Sequence, residues 1–175
     1  MSDSHGRADM TRRAVALLLD QGAEMLLHLG DVGGVEVIDT LAVQAPVAEP
    51  RPGGSGPDAG QLEAHVVFGN TDWDLPALTR YAQSLGIMVD HPVGSVDVEA
   101  GRLAFCHGHE PAVLAQALAA EPRYLCHGHT HQTSDTRQRS TRVINPGALH
   151  RAREHTVALL DTTRDELRFL TLPPR

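Results

Sequence analysis

Residues 124–131, YLCHGHTH, join a short apolar run to a polar cluster, and this pattern decides the fold class. Three further apolar runs end in the same way and a related cluster opens the chain; these clusters are Gly30-Asp31, Gly69-Asn70-Thr71-Asp72, His107-Gly108-His109 and Asp3-Ser4-His5. In open α/β sheets, the loops at the carboxyl ends of the strands meet in one crevice. We therefore expect these clusters to gather at one edge of a sheet.

The order of the predicted elements is typical of a mixed α/β protein. Apolar residues at helical spacing predict helices at 7–21, 35–43, 75–85 and 111–120. Short apolar runs predict strands at 24–29, 62–68, 96–99, 102–106, 123–126, 134–138, 141–144, 155–160 and 166–172, with Ala100-Gly101 as a hairpin turn. This order predicts two packed sheets in a single domain, residues 1–175. Residues 44–60, rich in Pro and Gly, are predicted to form a flexible surface insertion.

The composition excludes several classes of function. All 15 basic residues are arginine, so the chain has neither a Schiff-base lysine nor a P-loop lysine. A formal net charge of −7 argues against a protein that coats nucleic acid. The longest apolar run, residues 14–19, is too short to span a membrane, and we expect a cytoplasmic protein. The 11 histidines indicate a metal site or a proton-transfer site.

The polar clusters contain the residue types that a metal site with several ligands needs. Carboxylate supplies charge, and imidazole suits first-row transition metals. In Asp3-Ser4-His5 and His129-Thr130-His131, alternate residues of an extended chain point the same way, so two side chains can reach one ion. Each cluster alone has a structural alternative; Asp31, for example, could simply cap a helix. The whole ordered set is hard to explain as unrelated caps and turns.

This ordered set resembles the calcineurin-like metallophosphoesterase superfamily. More narrowly, it resembles the small single-domain YfcE-type phosphodiesterases, which share the closing Asn145-Pro146-Gly147. The resemblance extends over residues 2–170 and implies a four-layer α/β/β/α sandwich of two mixed sheets. It also implies two divalent metal ions, most commonly Mn²⁺, with Fe, Ni or Zn as alternatives.

The resemblance assigns a ligand set position by position. The first metal ion would be held by Asp3, His5 and His131. The second would be held by Asn70, His107 and His129, and Asp31 would bridge the two ions.

The implied reaction is the hydrolysis of a small phosphate ester. Two ions about 3.5–4 Å apart can share a hydroxide that attacks phosphorus in line. We expect Asp31 and Asn70 to take part in catalysis through these ions. Better-known members of the superfamily place a histidine acid where this chain has Thr71, which transfers that role to His109, with a structural role as the alternative. Arg7 is predicted either to contact phosphate or to be an ordinary surface residue.

Several neighbouring residues have simpler predicted roles. Asp72 is expected to orient a histidine ligand. Cys106 and Cys126 are expected to be small buried hydrophobic residues. Trp73 either lines the mouth of the site or packs beneath it.

Two questions stay open at the level of the sequence. In the family an apolar strand precedes the first cluster, and here it is missing, so we expect either a start farther upstream or another segment in its place. The rival to an enzyme is a metal-bound interaction scaffold, because the retromer's phosphoesterase-like subunit has this fold with a degraded site. A metal-storage or structural zinc protein is disfavoured, since structural zinc prefers cysteine. A homo-oligomer is compatible with the resemblance.

Overall fold

The computed structural model describes residues 1–44 and 62–173. Its helices are α1 (Ala8–Asp20), α2 (Val35–Asp39), α3 (Leu75–Ser84) and α4 (Pro111–Ala119). Its strands are β1 (Met25–Leu29), β2 (Glu63–Val67), β3 (Met88–Val89), β4 (Val93–Val98), β5 (Gly101–Cys106), β6 (Tyr124–Cys126), β7 (Thr133–Gln138), β8 (Thr141–Pro146), β9 (Thr156–Asp161) and β10 (Glu166–Thr171). Apart from Gln44, the predicted insertion at 44–60 lies outside the described residues.

The first sheet is parallel and has the order β1-β2-β3. Its strands are mostly buried, as parallel strands covered on both faces require. Helix α1 packs Met10, Ala14 and Leu18 into the same apolar cluster as Leu26 of β1. Strands β1 and β2 run parallel and therefore end at the same edge of the sheet. Residues 30–34 and 68–74 follow them there as loops.

The second sheet is mixed and has the order β4-β5-β6-β8-β7. Strands β5, β6 and β8 run parallel, and β4 and β7 pair antiparallel at the edges. Val98 pairs with Gly101, so the turn residues are Glu99 and Ala100, and the predicted Ala100-Gly101 turn was wrong by one residue. Strand β4 also starts three residues before the predicted 96, because Gly94 leaves room for the ring of Phe105 on β5.

The sequence predicted two sheets in all. The described residues contain a third, the antiparallel hairpin of β9 and β10. Strand β3 was also missed, since two residues give too short a pattern to detect. The core has three parts: one joins α1, α2 and α3 to β1 and β2, and one includes residues of both main sheets. The third packs Ala117 of α4 against Ala104, Leu125 and Val143. The predicted mixed α/β class is confirmed.

No strand precedes α1 in the described part of the chain. Residues 1–3 nevertheless pair with β1: the Met1 amino group donates to the Leu27 carbonyl, Leu29 N–H donates to the Met1 carbonyl, and Asp3 N–H donates to the Gly30 carbonyl. Beside them lies a groove of about 1010 Å³, lined by residues of β1, β9 and β10 and by Met1. This short pairing aligns Asp3 with the loop after β1.

Membrane-spanning character was searched for across residues 1–44 and 62–173. None of the helices there is both long and apolar enough to cross a bilayer.

Phe105 tests how far the packing between the two main sheets stabilises the fold. Its side chain is fully buried, and its ring meets the His65 ring edge-on at 5.6 Å. We expect Phe105→Ala to lower the free energy of unfolding by about 3–5 kcal/mol, because a cavity replaces the ring. Urea unfolding measures the change. Phe169→Ala, at an exposed position, is the control and should change stability by less than about 0.5 kcal/mol; similar losses in both variants would contradict the packing described.

Candidate metal centre

Five segments bring the predicted site residues together at one edge of the molecule. They are residues 2–5 and the loops that follow β1, β2, β5 and β6. His5 N–H donates to the Asp31 carbonyl at 2.9 Å, and Gly128 N–H donates to the His107 carbonyl at 3.0 Å. The loops are thus joined by backbone hydrogen bonds before any side chain is considered.

The first half of the site contains Asp3, His5 and His131. One ligand atom from each lies within 4.8 Å of the others. Asp3 is fully buried, and its Oδ1 lies 3.2 Å from His131 Nε2. All three residues have positive φ angles, 56°, 45° and 58°, which are uncommon away from glycine. Such strain persists where the surrounding structure holds it, and it often marks functional positions.

The second half of the site contains His107 and Asn70. His107 Nδ1 lies 2.7 Å from the Leu29 carbonyl oxygen, so Nδ1 donates to this carbonyl and Nε2 is turned toward the site. Nε2 lies 3.3 Å from Asn70 Oδ1 and 3.5 Å from Asp31 Oδ1. A backbone carbonyl that fixes the tautomer in this way is typical of a metal-binding imidazole.

Asp31 lies between the two halves. Its Oδ2 is 3.4 Å from His5 Nε2, and its Oδ1 is 3.5 Å from His107 Nε2. The Thr71 amide also donates to Oδ1 at 2.9 Å. Burial opposes ionisation of Asp31, but the hydrogen bonds from His107 and Thr71 outweigh it and hold the pKa of this carboxyl well below its usual range. The side chain is therefore a carboxylate with one oxygen toward each half.

His129 is placed through its backbone as well as its ring. Its amide donates to Asp3 Oδ2 at 3.1 Å, and its ring centroid lies 5.2 Å from that of His107. Partial desolvation of the ring and the nearby His107 lower the pKa of His129. A lowered pKa favours neutral imidazole, which is the form that binds metal. The ring is exposed, and it lies outside both groups of closely spaced ligand atoms in the described residues.

Orphaned polar atoms test whether a metal ion fits here. Asp3 Oδ1 and His5 Nε2 are buried, and although they lie 3.2 Å from His131 Nε2 and 3.4 Å from Asp31 Oδ2, neither atom makes a hydrogen bond. Unpaired buried polar atoms are costly, and each one needs an explanation. The donor set of carboxylate, amide oxygen and imidazole suits first-row divalent ions. The residues therefore fit a metal centre, and a second close group, formed by Asp3, Asp31 and His107, lies beside the first.

Asp72 does not orient a histidine, and that prediction was wrong. Its Oδ2 accepts from the amides of Gly69 and Val32 at 2.8 and 3.2 Å, and its Oδ1 accepts from the Gly33 amide at 2.8 Å. Asp72 thus ties the loop after β2 to the loop that carries Asp31. Sequence reasoning erred because backbone amides from a distant loop leave no pattern in the chain.

Gly69 is required by close approach rather than by its own backbone angles. A Cβ at this position would clash with the Asp31 carboxylate and would lie 2.7 Å from His107 Nε2. Only glycine lets the loop after β2 approach the carboxylate this closely.

Asn145 is a positioning residue that the sequence showed only as part of a motif. Its fully buried amide group donates to the Gly128 carbonyl at 2.8 Å and to Thr130 Oγ1 at 3.0 Å. Its Oδ1 accepts from the Gly147 amide at 2.9 Å. The closing Asn145-Pro146-Gly147 therefore fixes the loop that carries His129 and His131.

The remaining predicted residues lie around this centre. The His109 ring is 5.2 Å from His107 and 6.1 Å from His129, and its Nε2 is 3.3 Å from Glu110 Oε1. Arg7 precedes α1 and faces Asp9, with 3.6 Å between Nε and Oδ1.

His150 matches no sequence motif, yet it belongs to this neighbourhood. Its ring lies 5.3 Å from that of His5. The cysteines behave as predicted: Cys106 and Cys126 are buried and unbridged, and burial raises the pKa of Cys106 to about 11.

Ser4 anchors the first cluster to β1. Its hydroxyl lies 2.8 Å from Nε2 of the buried His28 and accepts from Thr11 Oγ1 at 2.9 Å. Burial, together with the nearby amino terminus, lowers the pKa of His28 to about 3. His28 is therefore a neutral structural residue beneath the site, in agreement with the absence of any motif around it.

Comparison with known proteins assigns the chain to one family. Residues 1–165 match the family model of the calcineurin-like phosphoesterase superfamily domain. The chain belongs to this superfamily, which makes it a hydrolase of the phosphoesterase class.

Individual relatives agree with this membership. Over 179 residues the chain is 25% identical to phosphodiesterase MJ0936 of Methanocaldococcus jannaschii, covering 98% of this chain and 96% of that protein. Among solved structures, a novel archaeal phosphodiesterase matches with a TM-score of 0.80 at 24% identity, over 98% of this chain and 97% of that one. YfcE, a phosphoesterase from E. coli, matches with a TM-score of 0.61 at 21% identity, over 99% and 97%.

Asp72 tests whether the loops that carry the site depend on one carboxylate. We expect Asp72→Ala to lower the free energy of unfolding by about 2–4 kcal/mol, since three backbone amides lose a charged acceptor. Urea unfolding measures the change. Asp74→Ala is the matched control, because Asp74 accepts only the exposed Ala77 amide and should cost about 1 kcal/mol as a helix cap. Equal losses in the two variants would refute the anchoring role of Asp72.

Proposed function

We propose that this chain is a metal-dependent phosphodiesterase that hydrolyses a small phosphate ester with two divalent cations. One observation carries the proposal: the Asp31 carboxylate presents Oδ2 to His5 at 3.4 Å and Oδ1 to His107 at 3.5 Å. A single carboxylate shared in this way is what a site for two cations needs.

The proposed ligand set is the one that the sequence resemblance implied. The first cation is held by Asp3, His5 and His131, the second by Asn70, His107 and His129, and both by Asp31. The close grouping of Asp3, His5 and His131 supports the first site. The 3.3 Å separation of Asn70 Oδ1 and His107 Nε2 supports the second. Mn²⁺ is the proposed metal, as the resemblance to the superfamily implies; Fe, Ni or Zn would fit the same oxygen and imidazole ligands.

When bound, the two cations would lower the pKa of a water molecule and would supply positive charge for the phosphoryl oxygens. The chain's own residues orient the groups around that chemistry. The Thr71 amide fixes the Asp31 oxygens, and Asn70 adds a neutral oxygen ligand that does not repel a phosphate. Arg7, at the start of α1 and two residues after His5, is proposed to contact the substrate phosphate.

His109 is proposed as the residue that protonates the leaving group. Its ring borders those of His107 and His129, so it lies beside the second cation site. Its Nε2 faces Glu110 at 3.3 Å, and its Nδ1 is buried without a hydrogen-bond partner. A free ring nitrogen next to the reacting phosphate is the arrangement that a general acid needs.

The alternative is a metal-bound interaction scaffold with weak or no turnover. The complete set of seven ligand residues favours the enzyme, because a scaffold has no need to keep an exposed ligand such as His129. A structural zinc site is disfavoured further because neither cysteine belongs to a group of closely spaced ligand atoms in the described residues.

Metal content and turnover together test the proposed ligand set. We expect the protein loaded with Mn²⁺ to hold about two ions per chain and to hydrolyse bis-p-nitrophenyl phosphate. His131→Ala and His107→Ala should each retain about one ion, and each should lower kcat/KM at least about 100-fold, because one half of the site loses an imidazole. Inductively coupled plasma mass spectrometry and initial rates measure these two quantities.

His155→Ala is the matched control, since this histidine lies after the site loops on the approach to β9. It should keep both ions and full activity. Two tightly bound ions with no hydrolysis would favour the scaffold, and unchanged metal content in His131→Ala and His107→Ala would contradict the ligand set.

The proton-donor role of His109 predicts a dependence on the leaving group. A p-nitrophenolate leaves with little help, whereas a phenolate of pKa about 10 needs a proton. We expect His109→Gln to lower kcat by less than about tenfold for methyl p-nitrophenyl phosphate and by about 10²–10⁴-fold for methyl phenyl phosphate. Steady-state kinetics on the two esters measures the difference. Equal losses on both would show that His109 only positions its neighbours.

A further inference from the structure

We propose that Trp73 is the platform on which a flat aromatic group of the substrate stacks, so that this residue sets the substrate class of the site. The inference rests on the proposed function and specifies it further: the favoured ester is one that carries a nucleobase or another aryl group. The indole of Trp73 is 81% exposed, far more than the other exposed large apolar side chains of the described residues, namely Met88, Val93 and Phe169.

Trp73 follows directly on residues that touch the metal centre. The Thr71 amide donates to Asp31 Oδ1 at 2.9 Å, and Thr71 Oγ1 lies 3.4 Å from His5 Nδ1. Consecutive Cα atoms are about 3.8 Å apart, so the Cα of Trp73 lies within about 7.6 Å of that of Thr71. The indole, which is several ångströms long, therefore starts at the rim of the site.

The backbone on both sides of Trp73 is fixed. On one side, the Asp72 carboxylate accepts three backbone amides from the site loops. On the other, Asp74 begins α3, accepts the Ala77 amide with its side chain at 3.2 Å, and has a positive φ of 53°. A ring presented from a loop that is already ordered loses little entropy when a ligand binds, which is the advantage of preorganisation.

An exposed indole beside a phosphate site suits one kind of chemistry. Indole and base faces stack, and this contact tolerates any base because every base has a π face. The substituent that carries the flat ring would lie over Trp73 while the phosphate lies at the metal centre. Nucleotide esters and simple aryl esters would both supply a flat ring that stacks on the indole, and the experiment distinguishes between them.

Three esters with the same p-nitrophenyl leaving group test the proposal on the Mn²⁺-loaded protein. They differ in the other substituent, which is thymidine 5′, phenyl or methyl. We expect the thymidine and phenyl esters to exceed the methyl ester on the order of tenfold in kcat/KM, mainly through KM. Trp73→Ala should remove most of this preference, and Trp73→Phe should keep most of it. Met88→Ala, which alters another exposed apolar residue, is the control and should leave all three rates unchanged.

The results distinguish two sources of the aromatic ring, a nucleotide and a simple aryl ester. A preference for both aromatic esters that is lost in Trp73→Ala supports stacking of any flat group. A preference for the thymidine ester alone, lost in the same variant, supports stacking and narrows the substrate to nucleotides. A preference that survives Trp73→Ala, or the absence of any preference in the wild-type protein, overturns the proposal.

Fluorescence gives a second measurement that does not need turnover. Trp73 is the only tryptophan in the chain, so its emission reports on this position alone. We expect adenosine 5′-monophosphate to quench it saturably in the Mn²⁺-loaded protein, and methyl phosphate to leave it unchanged. Quenching without hydrolysis of any ester would refute the proposed function and not the stacking. Hydrolysis of the methyl ester without quenching would refute the stacking and not the function.

Discussion

The position of the Asp31 carboxylate between His5 and His107 is the constraint on which the site depends. Three loops must meet for it to form, because His5, Asp31 and His107 come from different segments of the chain. The Thr71 amide adds a third contact to the carboxylate, from a fourth segment, the loop after β2. The low local dielectric strengthens such contacts between buried groups. It also makes a buried polar group costly when its partner is missing. The site therefore forms as a unit or not at all.

Buried polar side chains connect the loops at longer range. Asp72 links the loops after β1 and β2, Asn145 holds the loop after β6, and Asp3 accepts the His129 amide from 126 residues away. These contacts hold Asp3, Asp31 and His129 in a left-handed backbone conformation, with φ angles of 56°, 52° and 69°. Strain of this kind is kept where rigid surroundings impose it, and here the surroundings are the hydrogen bonds just described.

The sequence predicted most of the regular structure because periodicity is a local property. Helix α1 and strand β2 lie within one residue of the predicted 7–21 and 62–68. The errors occur where distant contacts decide the outcome. Strand β4 is longer than predicted because the Phe105 ring of the neighbouring strand packs over Gly94. Residues 1–3 pair with β1, although nothing in Met-Ser-Asp marks them as extended.

For the site, the sequence alone determined which residue types follow each strand, and strand ends meet at one edge by the geometry of parallel sheets. The resemblance to the superfamily then assigned seven of these residues as candidate ligands. Only the tertiary structure decided that Asp72 binds backbone amides, that His150 lies 5.3 Å from His5, and that Trp73 is exposed between two anchored residues. The reason is physical: hydrogen bonds and exposure depend on what the rest of the chain brings near a residue, and no local pattern records that.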